Sequence, residues 1–137
     1  MEKLPGGTET ILIVDDQETV WDFLIEALQN LGYSVLLAEN GEDAVEIYRE
    51  NPNQIDLVLL DMVMPKMGGH SAFYHLKNID PNVKVLLSSG FVSAASVKDL
   101  QDNGAVGFLS KPHRIKDLAL ELRRIFDAAP AESSTVS

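Results

Sequence analysis

The sequence alternates short apolar runs with longer amphipathic segments, five times over residues 10–127. Each apolar run is long enough for one buried strand, and hydrophobic residues in the amphipathic segments recur at helical spacing. The alternation predicts an α/β domain, with a parallel sheet between two layers of helices. The predicted strands are Ile11–Val14, Val35–Ala38, Leu57–Leu60, Val83–Leu87 and Val106–Leu109.

The predicted helices end at residues that interrupt a helix. Helical spacing covers Val20–Leu31, Ala44–Tyr48, Gly69–Asn78, the region of Val97 and Leu100, and Ile115–Phe126. Gly32, Pro52, Pro81 and Gly104 follow the first four of these segments. Right-handed crossovers leave few strand orders. By analogy with flavodoxin-like, doubly wound proteins we favour the order 2-1-3-4-5.

The 137 residues fit one compact domain. We expect residues 1–9 to be a flexible N-terminal segment or linker, 10–127 the domain, and 128–137 a disordered tail. No run approaches the roughly 18–20 apolar residues that span a bilayer. The first residues lack the layout of a secretory signal. The absence of cysteine suits a reducing compartment, so we expect a cytoplasmic location and no membrane binding by this segment.

Acidic residues outnumber basic ones by 21 to 11, which gives a formal net charge of −10. This balance disfavours binding to nucleic acid, because the field of the protein repels a polyanion. It permits a site for a divalent cation. A solvated acidic surface explains the charge equally well.

Reactive polar side chains follow the predicted strands at their carboxyl ends, where parallel sheets bind ligands. Asp15 and Asp16 follow the first strand, Asp61 the third, Ser89 the fourth and Lys111 the fifth. In the favoured order these strands are neighbours, so we expect the five side chains to converge.

Three converging carboxylates repel one another, at about 3–4 kcal/mol for each pair 4–5 Å apart with an effective dielectric near 20. Oxygen ligands without cysteine favour a hard cation such as Mg²⁺. With Lys111, such a site suits a transferable phosphoryl group. Each residue also has an ordinary interpretation: Asp16, near Thr19, is a candidate helix cap, and Lys111 alone is a common surface lysine.

The sequence resembles the response-regulator receiver domain over about Thr10–Phe126. The matching segments are ILIVDDQ (11–17), LVLLDMVMPKMGG (57–69), LLSSGF (86–91) and GAVGFLSKP (104–112). Taken together, in order and at the family's spacing, they form a specific pattern.

The resemblance implies a phosphorylation switch whose phosphoacceptor is Asp61. Asp16, Asp61 and the backbone carbonyl of Val63 would bind Mg²⁺, and Asp15 would act through water. Lys111 and Ser89 would bind the phosphoryl group, with Ser89 favoured over Ser88 by its spacing from Lys111. Three further roles are implied: Phe108 changes rotamer, Pro112 follows a cis peptide bond, and Gly69 is the glycine of the loop after Asp61.

His113 stands where many relatives have phenylalanine, and we expect it on the surface rather than in the site. Val63 and Phe91 are apolar, and we predict that they shield the acyl phosphate from water. His70 and His75 are expected to be exposed. Trp21 is expected to pack at a helix edge, with a docking role as the alternative.

Two enzyme or cofactor alternatives fit poorly. A flavin-binding flavodoxin-like module needs a Ser-, Thr- or Gly-rich phosphate loop, whereas the first loop here is Asp-Asp-Gln-Glu. A haloacid-dehalogenase-type phosphatase needs a second Asp two residues after the first, where Val63 stands. We therefore expect a phosphoacceptor domain and no separate enzyme activity. A degenerate receiver that acts only as an interaction module remains an alternative.

The expected partners are a histidine kinase or a phosphotransfer domain. The segment from Pro5 to Leu12 resembles the linker before receivers of hybrid histidine kinases, so we favour that origin over a free-standing regulator. The oligomeric state and the output process are not specified by the sequence.

Overall fold

The structure, a computed structural model, describes residues 4–63, 67–90 and 94–128. Strands and helices alternate along these residues. The strands are β1 (Thr10–Val14), β2 (Ser34–Ala38), β3 (Leu57–Asp61), β4 (Val85–Ser89) and β5 (Gly107–Ser110). The helices are α1 (Glu18–Asn30), α2 (Gly41–Glu50), α3 (Gly69–Ile79), α4 (Ala94–Asp102) and α5 (Ile115–Asp127).

The five strands form one sheet in the order β2-β1-β3-β4-β5, and all four neighbouring pairs are parallel. The predicted doubly wound α/β class and strand order are therefore confirmed. Strand β4 begins two residues later than predicted, at Val85 rather than Val83. It also ends two residues later, at Ser89 rather than Leu87, which places Ser88 and Ser89 inside the strand, each on its own face.

Two apolar cores lie on opposite faces of the sheet, because successive strand residues point to opposite sides. From β1, Ile11 and Ile13 pack in the core that α1 and α5 complete. Leu12 and Val14 pack in the core that α2, α3 and α4 complete. Every residue of the central strands β3 and β4 is buried. This burial explains why their sequences are continuous apolar runs without polar alternation.

Helix α1 ends one turn before β2, as the glycine at position 32 predicts. Gly32 has a φ of 101°, a conformation that glycine adopts without steric cost. The following N–H of Tyr33 donates back to the carbonyl of Leu28 at 3.0 Å. This ending directs the chain into β2, alongside β1.

Part of the N-terminal segment contacts the domain. The N–H of Gly7 donates to the Leu31 carbonyl at 3.1 Å, and Arg123 of α5 donates to the Gly6 carbonyl, also at 3.1 Å. The flexibility of residues 1–9 stays a prediction. Of the predicted tail, residues 129–137 lie outside the described residues. Within the described ranges, no helix has the length and apolarity needed to cross a bilayer.

Candidate functional site

The carboxyl ends of four strands meet at one edge of the sheet. β1 leads into Asp15 and Asp16, β3 ends in Asp61, β4 ends in Ser89, and β5 leads into Lys111. The strand order makes β1, β3, β4 and β5 consecutive neighbours. The expected convergence of these side chains is present in the structure.

Three carboxylates form the acidic part of the site. One carboxylate oxygen from each of Asp15, Asp16 and Asp61 lies within 4.8 Å of the other two. Asp15 and Asp61 are 2% and 3% exposed, whereas Asp16 is open to solvent. Two of the three charges are thus held away from bulk water, where they interact more strongly than surface charges do.

Lys111 supplies the opposing charge. Its Nζ lies 2.9 Å from Asp15 Oδ2 and 3.4 Å from Asp61 Oδ2, and donates to Gln17 Oε1 at 3.4 Å. Burial alone would lower the pKa of the ammonium group. The hydrogen bond to Asp15 and the charges of Asp61 and Asp15 outweigh burial and raise that pKa. Lys111 is therefore a permanent cation at neutral pH.

Asp61 has an unfavourable electrostatic environment for its charge. Burial, followed by the neighbouring charge of Asp15, raises the pKa of the Asp61 carboxyl above its ordinary value. Lys111 and the backbone N–H of Val63, which donates to Asp61 Oδ1 at 3.3 Å, act in the opposite direction. The carboxylate is only partly neutralised by the chain itself, so a further cation would stabilise it.

The donor set fits a hard divalent cation. It consists of carboxylate oxygens on three residues, with one of them exposed enough to keep water beside a bound ion. Magnesium prefers this combination of one or two carboxylates with several waters. Asp15, Asp16 and Asp61 are thus residues that could hold Mg²⁺.

An open cavity of about 330 Å³ lies over these groups. Its lining residues are Asp16, Gln17, Asp61, Val63, Ser89, Gly90 and Lys111. Ser89 is one of these lining residues, and its preference over Ser88 as the phosphoryl-binding hydroxyl stays a prediction. The side chain of Val63 is 64% exposed at the rim. Phe91, the second residue predicted to shield the site, lies outside the described residues.

The capping interpretation of Asp16 is wrong. The N-cap of α1 is Gln17, and among the described residues its side chain makes no capping bond. Asp15 instead accepts the Gln17 N–H at 2.9 Å through Oδ1. One oxygen of Asp15 therefore orders the loop, and the other binds Lys111.

His113 does not line the cavity over Asp61, as expected, but it is less exposed than a surface residue. Its ring is partly buried, and Nε2 lies 2.8 Å from the hydroxyl oxygen of Ser88. Sequence reasoning missed this contact because the two residues are 25 positions apart and belong to different strand ends. Two consecutive serines after the predicted fourth strand were the available signal.

Three structural expectations concern the loops and strand beside the site. The peptide bond between Lys111 and Pro112 is cis. Gly69 is the first residue of α3 rather than part of a loop. Phe108 is partly buried and packs against the core that α2, α3 and α4 complete. The functional roles of all three remain predictions.

The remaining singled-out residues lie away from the carboxylates. His70 and His75 are exposed, as predicted. His70 lies 3.2 Å from Asp99 of α4. Trp21 is partly buried and packs against the core that α1 and α5 complete, which agrees with the helix-edge prediction.

Comparison with known proteins places the chain in a family. Residues 11–123 match the family described as the response regulator receiver domain. The chain is 34% identical over 119 residues to the response regulator receiver protein CpdR of Brucella abortus, covering 87% of this chain and 98% of CpdR. It is also 34% identical over 122 residues to the sensor kinase CckA of the same organism, and this match covers 89% of the chain but only 13% of the kinase.

The fold is shared with solved structures. A chain in the crystal structure of the CheX–CheY–BeF3–Mg²⁺ complex from Borrelia burgdorferi superposes with a TM-score of 0.83 at 30% identity, covering 86% of this chain and 89% of that one. The residues matched to the family, 11–123, include the whole of β2 to β5, all of β1 except Thr10, and the three carboxylates of the site. The chain therefore belongs to the response regulator receiver domain family of two-component signalling.

Proposed function

We propose that this domain is a phosphorylation switch in which Asp61 accepts a phosphoryl group from the phosphohistidine of a kinase or phosphotransfer domain. The observation that carries the proposal is the position of Asp61, which is buried beside Asp15 and the ammonium of Lys111 and lines an open cavity. A structural carboxylate would not need a second carboxylate beside it. Neighbouring carboxylates repel one another, and a bound cation would offset that repulsion.

The transfer forms one bond and breaks one. A carboxylate oxygen of Asp61 bonds to phosphorus as the bond from phosphorus to the donor nitrogen breaks, which leaves an acyl phosphate and a histidine. Phosphoryl transfer asks a protein chiefly for positioning and charge neutralisation. Lys111 supplies a fixed positive charge for the phosphoryl oxygens, and Ser89 supplies a hydroxyl donor on the cavity wall.

Mg²⁺ would be held by Asp16, Asp61 and the backbone carbonyl of Val63, with Asp15 acting through water. When bound, the ion neutralises charge on the phosphoryl oxygens. The CheY complex that contains BeF3 and Mg²⁺ supports this assignment, since its chain shares the fold at 30% identity. The exposed Asp16 leaves the cation side of the cavity open to solvent and to a donor.

The switch itself would involve Ser89 and Phe108. A dianionic group on Asp61 attracts the Ser89 hydroxyl, and the space that it leaves can receive the Phe108 ring. Both states must lie within a few kcal/mol of each other for phosphorylation to shift the population. Val63 and Phe91 would limit the access of water to the acyl phosphate.

We infer that the domain works in the cytoplasm with a histidine kinase. The similarity to a sensor kinase, of which the match spans only a small part, supports an origin in a hybrid kinase. The similarity to CpdR, which is matched almost throughout, supports a free-standing regulator. Both settings use the same chemistry at Asp61.

Labelling with acetyl phosphate and Mg²⁺ tests the proposal, because this small donor needs no protein partner. We expect the wild-type chain to become phosphorylated, Asp61→Asn to give no signal above background, and removal of Mg²⁺ by a chelator to abolish labelling. Asp102→Asn, which changes an exposed carboxylate of α4, is the control and should label normally.

Intact-protein mass spectrometry and phosphate-affinity electrophoresis measure the label. A wild-type chain that stays unlabelled would favour the alternative, a receiver that acts only as an interaction module. Equal labelling of Asp61→Asn would place the acceptor elsewhere.

A further inference from the structure

His113 lies in the loop of residues 111–114, the β5–α5 loop, which also carries Lys111. The loop begins with a backbone bond from the Lys111 N–H to the Ser89 carbonyl at 3.0 Å. A second connection to β4 follows two residues later, where His113 Nε2 meets the Ser88 hydroxyl at 2.8 Å. The loop is thus attached to the end of β4 on both sides of Pro112.

Ser88 connects this attachment to the phosphoacceptor. It is 2% exposed and is paired in register with Asp61 of β3, so both side chains project from the same face of the sheet. The Ser88 carbonyl also accepts the N–H of Met62, the residue after Asp61, at 2.9 Å. A displacement of Ser88 would therefore move the backbone that carries Asp61.

Only one ring nitrogen of His113 is hydrogen-bonded within the part of the chain that the structure describes. Nδ1 is buried and has no partner there. A neutral imidazole leaves at most one group unsatisfied, whereas an imidazolium would carry a second buried N–H together with a charge. The contact with Ser88 is therefore one that the neutral ring makes best.

The charged neighbours act on the ring unequally. Burial, and then the ammonium of Lys111 on the same loop, lower the pKa of His113, while Asp15 after β1 raises it. Arg114 and Asp117, at the start of α5, line the same cavity as the ring. The net effect keeps the imidazole neutral at neutral pH.

We propose that His113 is a positioning residue for phosphoryl transfer: its bond to Ser88 holds the β5–α5 loop against β4 and thereby fixes Lys111 beside Asp61. The inference rests on the function proposed above. It assigns a role to a residue that does not line the cavity over Asp61.

The test compares initial rates of acetyl phosphate labelling in the presence of Mg²⁺. His113→Phe keeps the ring size and removes both nitrogens, and His113→Gln keeps an amide near the position of Nε2. We expect His113→Phe to slow labelling roughly two- to tenfold, the value of one hydrogen bond that no longer orders the loop, and His113→Gln to recover most of the rate. His75→Phe, which changes an exposed helix histidine, should label at the wild-type rate.

A double-mutant cycle and a pH profile separate positioning from general destabilisation. Ser88→Ala should slow labelling about as much as His113→Phe, and the double variant should be no slower than either. Below pH 6.5, the ordinary pKa of histidine, the wild-type rate should fall with a step that His113→Phe lacks, because protonation adds a second cation beside Lys111.

The proposal is overturned if His113→Phe keeps the wild-type rate and pH profile, or if the Ser88 and His113 effects are additive. If His113→Phe does not fold, the Ser88→Ala variant is the test. A wild-type labelling rate and pH profile in Ser88→Ala would then refute the proposal. An unlabelled wild-type protein would instead remove the proposed function, and this inference with it.

Discussion

Asp61 lies beside a second buried carboxylate, and this arrangement has a cost in the absence of a bound cation. Its pKa is raised, chiefly by burial and next by Asp15, above the ordinary value of 3.8. An acid whose pKa is raised by folding stabilises the protein below its unfolded pKa. That stabilisation is lost as the pH rises through the folded pKa. At neutral pH, ionised Asp61 therefore opposes folding.

Asp61→Asn should accordingly be more stable than the wild type at pH 7, by on the order of 1 kcal/mol in the free energy of unfolding. The gain should shrink as the pH falls and should vanish below about pH 3.8, where both proteins are uncharged at this position. Urea denaturation at several pH values measures this. Asp102→Asn should show no comparable gain, and a less stable Asp61→Asn at pH 7 would contradict the prediction.

The junction between β3 and α3 depends on a residue without a side chain. A Cβ atom at Gly69 would lie 2.5 Å from the Asp61 carbonyl oxygen and 2.6 Å from Met62 Cα. Both are backbone atoms that cannot rotate away. The start of α3 therefore packs directly on the segment that carries the phosphoacceptor.

Gly69→Ala should destabilise the domain by about 1–3 kcal/mol, the usual cost of overpacking, although alanine is the better helix former. Because the clash involves the backbone of Asp61, we also expect slower acetyl phosphate labelling. Gly90→Ala is the matched control for stability, since among the described residues the nearest contact of its Cβ would be Lys111 Cβ, at an ordinary 3.7 Å. Thermal unfolding of the two variants measures the difference, and equal stabilities would refute this account.

Arg123 joins distant parts of the chain. It binds the Glu9 carboxylate through two nitrogens at 3.0 Å, and Asp127 at 2.7 Å. Glu9 lies just before β1, whereas Arg123 is 114 residues further along, in α5. The hydrogen bond from Arg123 lowers the pKa of Glu9 more than burial raises it.

Arg123→Met should lower the free energy of unfolding by about 1 kcal/mol at neutral pH and low salt. Because folding lowers the pKa of Glu9, the contribution is present above its ordinary value of 4.5 and is lost as the pH falls through the folded value. Arg49→Met, which removes an exposed pair with Glu46, should cost less. Chemical denaturation at two pH values tests this, and a difference that persists in acid would count against it.

The ends of the strands show how much of the structure can be predicted from the pattern of apolar and polar residues alone. Apolar runs that are followed by Asp15, by Asp61 and, after Ser110, by Lys111 were sufficient to predict a parallel sheet with a charged edge. The reason is that a parallel strand is buried, and ligand-binding polar groups lie beyond its carboxyl end. The order of the strands came from analogy. Strand boundaries depend on backbone pairing, and β4 therefore began two residues later than its apolar run.

The amino-acid sequence by itself determined the fold class and the identity of the charged groups at the strand ends, since both follow from local periodicity and the order of motifs. Where those groups meet depends on the strand order, which had been taken by analogy and which the tertiary structure confirmed. Only the tertiary structure decided that His113 points inward to Ser88 and that Arg123 reaches the segment before β1. Such contacts join residues far apart in the chain, and neither hydrophobic spacing nor a local motif carries information about them. They depend on which faces the packed helices and loops finally present to each other.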